Sequence, residues 1–130
     1  MASAWQGDLL DLDAYLHRVG YDGDRSPSLD TLRALQRAHV TSVPFENLEI
    51  YLGREIPLGV EALQEKMVRH RRGGYCFEHT ELFAAVLERL GFSFTALTAR
   101  VQLGEEKLRS ATHALLRVEA DGGLWICDVG

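Results

Sequence analysis

Up to Leu90 the apolar side chains recur at helical intervals, and after Gly91 the interval becomes that of strands. Asp11-Leu12-Asp13 opens a short amphipathic helix, with Leu12, Tyr15, Leu16 and Val19 on one face and Gly20 as its stop. Asp22 to Pro27 reads as a turn. Ser28 then caps a second helix through about His39, its inner stripe marked by Leu29, Leu32, Leu35 and Gln36. Pro44 stops that region, and Phe45 to Leu52 reads as an apolar, less regular connection. A third helix starts at Gly59-Val60-Glu61 and reaches about His70. A fourth runs from about Cys76 to Leu90, turning Leu82, Phe83, Val86, Leu87 and Leu90 inward, and Gly91 ends it.

Three strand-like runs follow, Phe92 to Leu103, Thr112 to Ala120 and Leu124 to Val129. Asp121-Gly122-Gly123 is a strong turn signal that makes a hairpin of the last two. Gly104 to Ser110 reads as a polar, charged loop. Three strands are the minimum for an independently stable sheet. The expected fold is therefore α+β: an N-terminal helical bundle over residues 1–91, carrying four helices, followed by an antiparallel β-sheet over 92–130.

Composition narrows the function classes. At 130 residues, 46% apolar and 25% charged, the chain suits one globular unit rather than disorder. A net charge of −5 argues against nucleic acid as the main partner. No apolar run reaches the roughly 18 residues of a membrane span, and the start lacks the basic and apolar regions of a signal peptide. Two cysteines, Cys76 and Cys127, are too few for a disulfide scaffold, so a reducing cytoplasm is the expected setting.

Candidate chemistry concentrates at Arg71-Arg72-Gly73-Gly74-Tyr75-Cys76-Phe77-Glu78-His79. Cys76 stands where a glycine pair ends and a helix begins. The unpaired N–H groups and positive dipole end there favour a thiolate, the nucleophilic form. Gly73 and Gly74 are expected to take backbone angles closed to other residues, letting a group approach the sulfur. A thiolate needs a proton acceptor and a group that orients it. Thr112-His113-Ala114 and Cys127-Asp128-Val129 each set one polar residue into an apolar run, and two paired strands can carry His113 and Asp128 side by side. The result is a cysteine-protease-like triad of Cys76, His113 and Asp128, with the aspartate setting the imidazole tautomer. His70, His79 and Cys127 add zinc-ligand types, but Cys-x-x-His lacks a second matching pair, so no metal is expected.

With Pro44-Phe45-Glu46-Asn47-Leu48, the Arg72–Glu78 motif, the Thr-His-Ala-Leu-Leu run and Asp128-Val129-Gly130, the chain resembles the arylamine N-acetyltransferases. These motifs keep the family's order and spacing from residue 44 onward. The resemblance implies that Cys76 accepts the acetyl group, His113 is the base and Asp128 its orienter. It implies a ping-pong reaction in which acetyl-coenzyme A acylates the cysteine and an arylamine or hydrazine then takes the acetyl group. It also pairs Glu46 with Arg72, bridging the second helix's exit to the cysteine loop, where a bidentate contact would fix Gly73 and Gly74. Phe45 is a candidate substrate contact. Thr80 departs from the family's usual asparagine.

Family members run to roughly twice this length, with a helical first domain, a β-barrel second domain and a lid-like α/β third. The chain is therefore expected to correspond to the first half of such an enzyme, with weak or no turnover by itself and an exposed strand edge that favours self-association. Two other readings stand beside acetyl transfer: a related amide synthase using the same triad, and a non-catalytic fragment with a reactive thiol. The Cys–His–Asp order also fits transglutaminase-like and papain-like hydrolases, although Arg-Gly-Gly-Tyr-Cys fits those less well. The cations Lys66, Arg69, His70, Arg71 and Arg72 suit a helix C-terminus, with a minor role in attracting coenzyme phosphates as the alternative.

Overall fold

In helix α5, Cys76–Leu90, every side chain from Leu82 to Leu87 is sealed from solvent. A helix apolar all round must be enclosed on all sides. In the computed structural model, which describes residues 3–104, 106, 108 and 110–130, α5 packs against the sheet, the helix at Val60–Leu63 and the turn at Gly7–Leu9. Helices α1 (Leu12–Val19) and α2 (Leu29–Ser42) add Tyr15, Leu16, Val19, Leu32 and Leu35 to its core. A three-stranded sheet adds Leu116, Val118 and Ala120 from the other side. Each such aliphatic side chain contributes about 1.5–3 kcal/mol on burial.

The first two helices start as their caps predict. The Asp11 carboxylate accepts from Ala14 N at 3.0 Å and the Ser28 hydroxyl from Thr31 N at 3.2 Å. Gly20 closes α1 in the left-handed region, at φ 74°. Helix α2 runs three residues past the expected His39, to Ser42. Pro44 decides that end, because a residue before proline is pushed from helical to extended backbone, as Val43 is here. The connection after Phe45 contains one helical turn, α3 (Leu48–Tyr51).

The third helix departs further from a regular pattern. It is α-helical only over α4 (Val60–Leu63) and continues as a π-helix over Gln64–Arg69. Three tertiary anchors fall on that wider segment. Gln64 Oε1 accepts from Asp11 N, Lys66 reaches Glu78, and the Met67 carbonyl accepts from Arg18 Nε. Holding all three positions to their partners explains the inserted residue, and apolar periodicity carries no trace of it.

The sheet is antiparallel in the order β1 (Ser93–Arg100), β2 (Ala111–Ala120), β3 (Gly123–Cys127). Asp121 and Gly122 both have positive φ, 49° and 76°, as a two-residue type I′ hairpin turn demands. β1 stops at Arg100, short of the expected Leu103, where its register with β2 shifts. Leu103 and Gly104 then turn the chain with positive φ. The loop expected from Gly104 to Ser110 includes residues 105, 107 and 109, and the amino-terminal reading includes 1 and 2, which lie outside the described residues. Among the described residues no helix is long and apolar enough to cross a membrane.

Candidate active site

The loop before α5 is stitched to the segment after α2. Glu46 N donates to the Gly74 carbonyl at 2.9 Å and Gly74 N to the Pro44 carbonyl at 3.3 Å, a parallel bridge between Phe45 and Gly74. The glycines serve this approach through lack of volume, not through unusual backbone angles. Neither has positive φ; that conformation falls on Arg71, at 55°. A Cβ on Gly73 would lie 1.8 Å from the Pro44 oxygen, and one on Gly74 2.8 Å from Glu78.

Charge reinforces the stitch. Arg72 places Nη2 2.5 Å from Glu46 Oε1 and Nη1 2.6 Å from Glu49 Oε1, while Gly73 N donates to Glu46 Oε2 at 3.0 Å. The expected Glu46–Arg72 contact is thus part of a four-membered cluster, Arg54 holding the other oxygen of Glu49 at 3.2 Å. Burial acts to raise the Glu46 carboxyl, but the Gly73 N–H and the Arg72 guanidinium outweigh it and hold it below the usual range. On the inner side, buried Arg18 gives its guanidinium to the carbonyls of Met67, Ser42, Arg71 and Arg72, at 2.7, 2.7, 3.2 and 3.5 Å. Of the cations noted in the sequence, Lys66 pairs with Glu78, Arg69 and His70 with Glu65, and Arg72 with Glu46 and Glu49.

Cys76 is the first residue of α5 and is 9% exposed. Glu78, three residues into the segment, accepts from Tyr75 N at 3.2 Å and is held by Lys66 at 2.9 Å. That arrangement closes the helix start beside the sulfur. Two bonds run from α5 to β2. Cys76 Sγ donates to the Thr112 carbonyl at 3.7 Å and Thr80 Oγ1 to the Ala114 carbonyl at 3.1 Å, one on each side of His113 in the sequence.

His113 Nε2 lies 2.7 Å from Asp128 Oδ2. A carboxylate can only accept, so Nε2 carries a proton, and in the neutral ring Nδ1 is the nitrogen with the lone pair. Asp128 follows directly after β3, whose last pair is Leu116 with Cys127. Continuing that register sets Asp128 diagonal to His113. Gly130 N returns to Asp128 Oδ1 at 3.3 Å, and a Cβ on Gly130 would lie 2.7 Å from the Cys76 Cα. Gly130 therefore packs directly on the cysteine. Cys127, by contrast, points into the core and donates to Gln36 Oε1 at 2.9 Å; burial and then Asp128 push its thiol up to about 12.

His113 and Asp128 are thus in direct contact, and Cys76 adjoins the residue before His113, its own hydrogen bond going to the Thr112 carbonyl rather than to the imidazole. Phe45 is 59% exposed, and its ring lies parallel to that of His79 with centroids 6.5 Å apart. Arg18, Glu49, His39 and the supporting role of Thr80 escaped the sequence reading. His39 had a signal: it falls on the same helical stripe as Leu32 and Leu35.

Known proteins resemble this chain in both sequence and structure. A family model described as N-acetyltransferase matches residues 28–130. The arylamine N-acetyltransferase of Escherichia coli K12 is 45% identical over 120 residues, covering 92% of this chain and 43% of that protein. The crystal structure of the Nocardia farcinica arylamine N-acetyltransferase is 56% identical with a TM-score of 0.94, covering 99% of this chain and 46% of that one. The Mycobacterium marinum arylamine N-acetyltransferase solved in complex with CoA is 41% identical with a TM-score of 0.85, covering 92% and 46%. The chain spans less than half the length of these relatives.

Proposed function

This chain belongs to the arylamine N-acetyltransferase family, and on that footing we propose that it carries the acyl-transfer centre of such an enzyme. The reading has Cys76 as nucleophile, His113 as base and Asp128 as the group that orients the ring. The observation that carries it is the 2.7 Å His113 Nε2–Asp128 Oδ2 contact, on a strand whose Thr112 carbonyl accepts from Cys76 Sγ at the start of α5. In the first half-reaction the Cys76 sulfur bonds to the acetyl carbon of acetyl-coenzyme A. The carbon–sulfur bond to the coenzyme breaks, and coenzyme A leaves with the proton that His113 took from the thiol. In the second, the acceptor nitrogen attacks the Cys76 thioester, His113 takes the ammonium proton, and the cysteine sulfur departs and recovers that proton from His113. An arylamine or hydrazine is the acceptor class and Phe45 an aromatic contact for it, supported by its exposure beside the cysteine loop.

The same reading takes residues 1–91 as a helical domain and 92–130 as the opening strands of a β-barrel domain. The exposed side chains of Leu124 and Ile126 on edge strand β3 support self-association there. Two free cysteines fit a cytoplasmic setting. The test is intact-mass analysis with peptide mapping after incubation with acetyl-coenzyme A. One acetyl group on Cys76, removed by an added arylamine and absent in Cys76→Ala, is expected; acetylation that survives Cys76→Ala would overturn the assignment.

A further inference from the structure

Three buried side chains beneath the cysteine loop form one hydrogen-bonded chain. Tyr15 Oη lies 2.8 Å from His39 Nδ1, His39 Nε2 lies 2.8 Å from His79 Nδ1, and His79 Nε2 lies 3.1 Å from the Pro44 carbonyl. The last acceptor settles every proton in the chain. A carbonyl cannot donate, so His79 Nε2 carries a hydrogen and His79 Nδ1, in the neutral ring, accepts. His39 Nε2 must then donate and its Nδ1 accept, which leaves Tyr15 as donor. Tyr15 and His39 are 0% exposed and His79 1%, whereas Phe45, stacked on His79, is 59% exposed. The chain thus runs from the helical core to the surface beside Cys76. The Pro44 oxygen at its end also accepts from Gly74 N, so both its lone pairs are used.

We propose that Tyr15, His39 and His79 are a positioning chain for the Cys76 site, fixing Phe45 and Gly74 through the Pro44 carbonyl for as long as both imidazoles are neutral. The inference rests on the reading of Cys76 as nucleophile and adds residues that touch no reacting atom. A proton on His79 would turn its Nδ1 into a donor facing the His39 donor. The ordering could then survive only by reversing, with His39 donating to Tyr15 and the buried tyrosine proton left unpaired. The charged groups that face the pair are Arg18 from α1, Lys66 from the π-helical segment, and Glu78 on α5 itself. Burial, then His79 and Arg18, lower His39 to about 3, and burial also lowers His79, outweighing the Pro44 and Gly74 backbone bonds and Glu78, which favour its charged form. Glutamine offers an amide N–H donor and a carbonyl acceptor and does not titrate in this range, so His79→Gln can keep the chain while removing the acid sensitivity of its outer ring and leaving that of His39. His79→Leu removes both ends.

Three measurements decide it. Long-range nitrogen–proton NMR at pH 7 should show His39 and His79 as neutral Nε2–H tautomers; an Nδ1–H tautomer or a charged ring overturns the ordering. Amide exchange at Gly74 and Glu46, taken relative to core amides of α5, should quicken about tenfold in His79→Leu and recover in His79→Gln. Below the ordinary imidazole value of about 6.5 the wild type should lose the same relative protection, and His79→Gln, in which only His39 still titrates, should lose less. Acylation of Cys76 by p-nitrophenyl acetate should fall about tenfold in His79→Leu and return to within about threefold in His79→Gln. A folded His79→Leu variant with wild-type protection and acylation, or a glutamine variant as impaired as leucine, would overturn the proposal. Should the leucine variant not fold, the tautomers and the acid response of His79→Gln decide. Absence of acylation in the wild type overturns the nucleophile assignment alone, because protection and tautomers are read without it.

Discussion

Thr80 Oγ1 donates to the Ala114 carbonyl at 3.1 Å, a buried bond that ties the second turn of α5 to the strand residue after His113. Thr80→Val keeps the shape and removes the donor, leaving a buried carbonyl without that partner. A loss of about 1–3 kcal/mol in urea unfolding is expected. A valine variant as stable as the wild type would show that the bond contributes only alignment.

The two cysteines should separate cleanly under limiting iodoacetamide. Cys76 lies at a helix start beside the loop, while the Cys127 thiol is buried, bonded to Gln36 and pushed up to about 12. Peptide mapping is expected to find Cys76 labelled first and Cys127 labelled only on unfolding. Equal rates in the folded protein would contradict the assignment of roles.

The His113–Asp128 contact predicts a tautomer effect. Asp128→Asn offers an amide that can donate to Nε2 and so favours the wrong ring form. Acyl transfer is expected to fall by up to about 10⁴ with the fold retained, the magnitude seen when a triad aspartate is replaced. His113→Ala should slow alkylation of Cys76 near neutral pH. Circular dichroism and single-turnover acylation check both.

Gly73→Ala forces a methyl group to within 1.8 Å of the Pro44 oxygen. Because the obstacle is backbone rather than a flexible side chain, the loop must move. Destabilisation of at least about 1–3 kcal/mol is expected, together with loss of the Phe45–Gly74 bridge. Thermal melting measures the first, and amide exchange at Glu46 the second.

Acid should weaken the fold through His39. Its folded value is lowered to about 3, so between about 6.5 and 3 the unfolded chain binds a proton that the folded chain refuses. The neutral ring's contribution is complete above about 6.5 and is lost as the pH falls toward 3, at up to about 1.4 kcal/mol per pH unit. From pH 7 to pH 5 the loss from this group is about 2 kcal/mol. In His39→Gln the urea midpoint should fall less over that interval than in the wild type; an identical fall would remove His39 from the explanation.

The sequence by itself determined whatever depends on neighbours along the chain. Caps at Asp11 and Ser28, the stop at Gly91, the limits of α5, the Asp121-Gly122 turn and the succession of helices and strands all follow from local backbone preference and apolar period. So did the candidacy of Cys76, His113 and Asp128, polar residues in runs where polarity is costly. Tertiary structure decided what depends on partners far apart in the chain. The π-helical turn at Gln64–Arg69 exists because Asp11, Arg18 and Glu78 claim positions on it. Gly73 is required by the Pro44 oxygen, a group 29 positions earlier that no local pattern connects to it. The proton order through Tyr15, His39 and His79 follows from one carbonyl at the far end. Periodicity shows which side chains turn inward, but only packing shows which of them meet, and a buried polar group acquires its role from the partner that satisfies it.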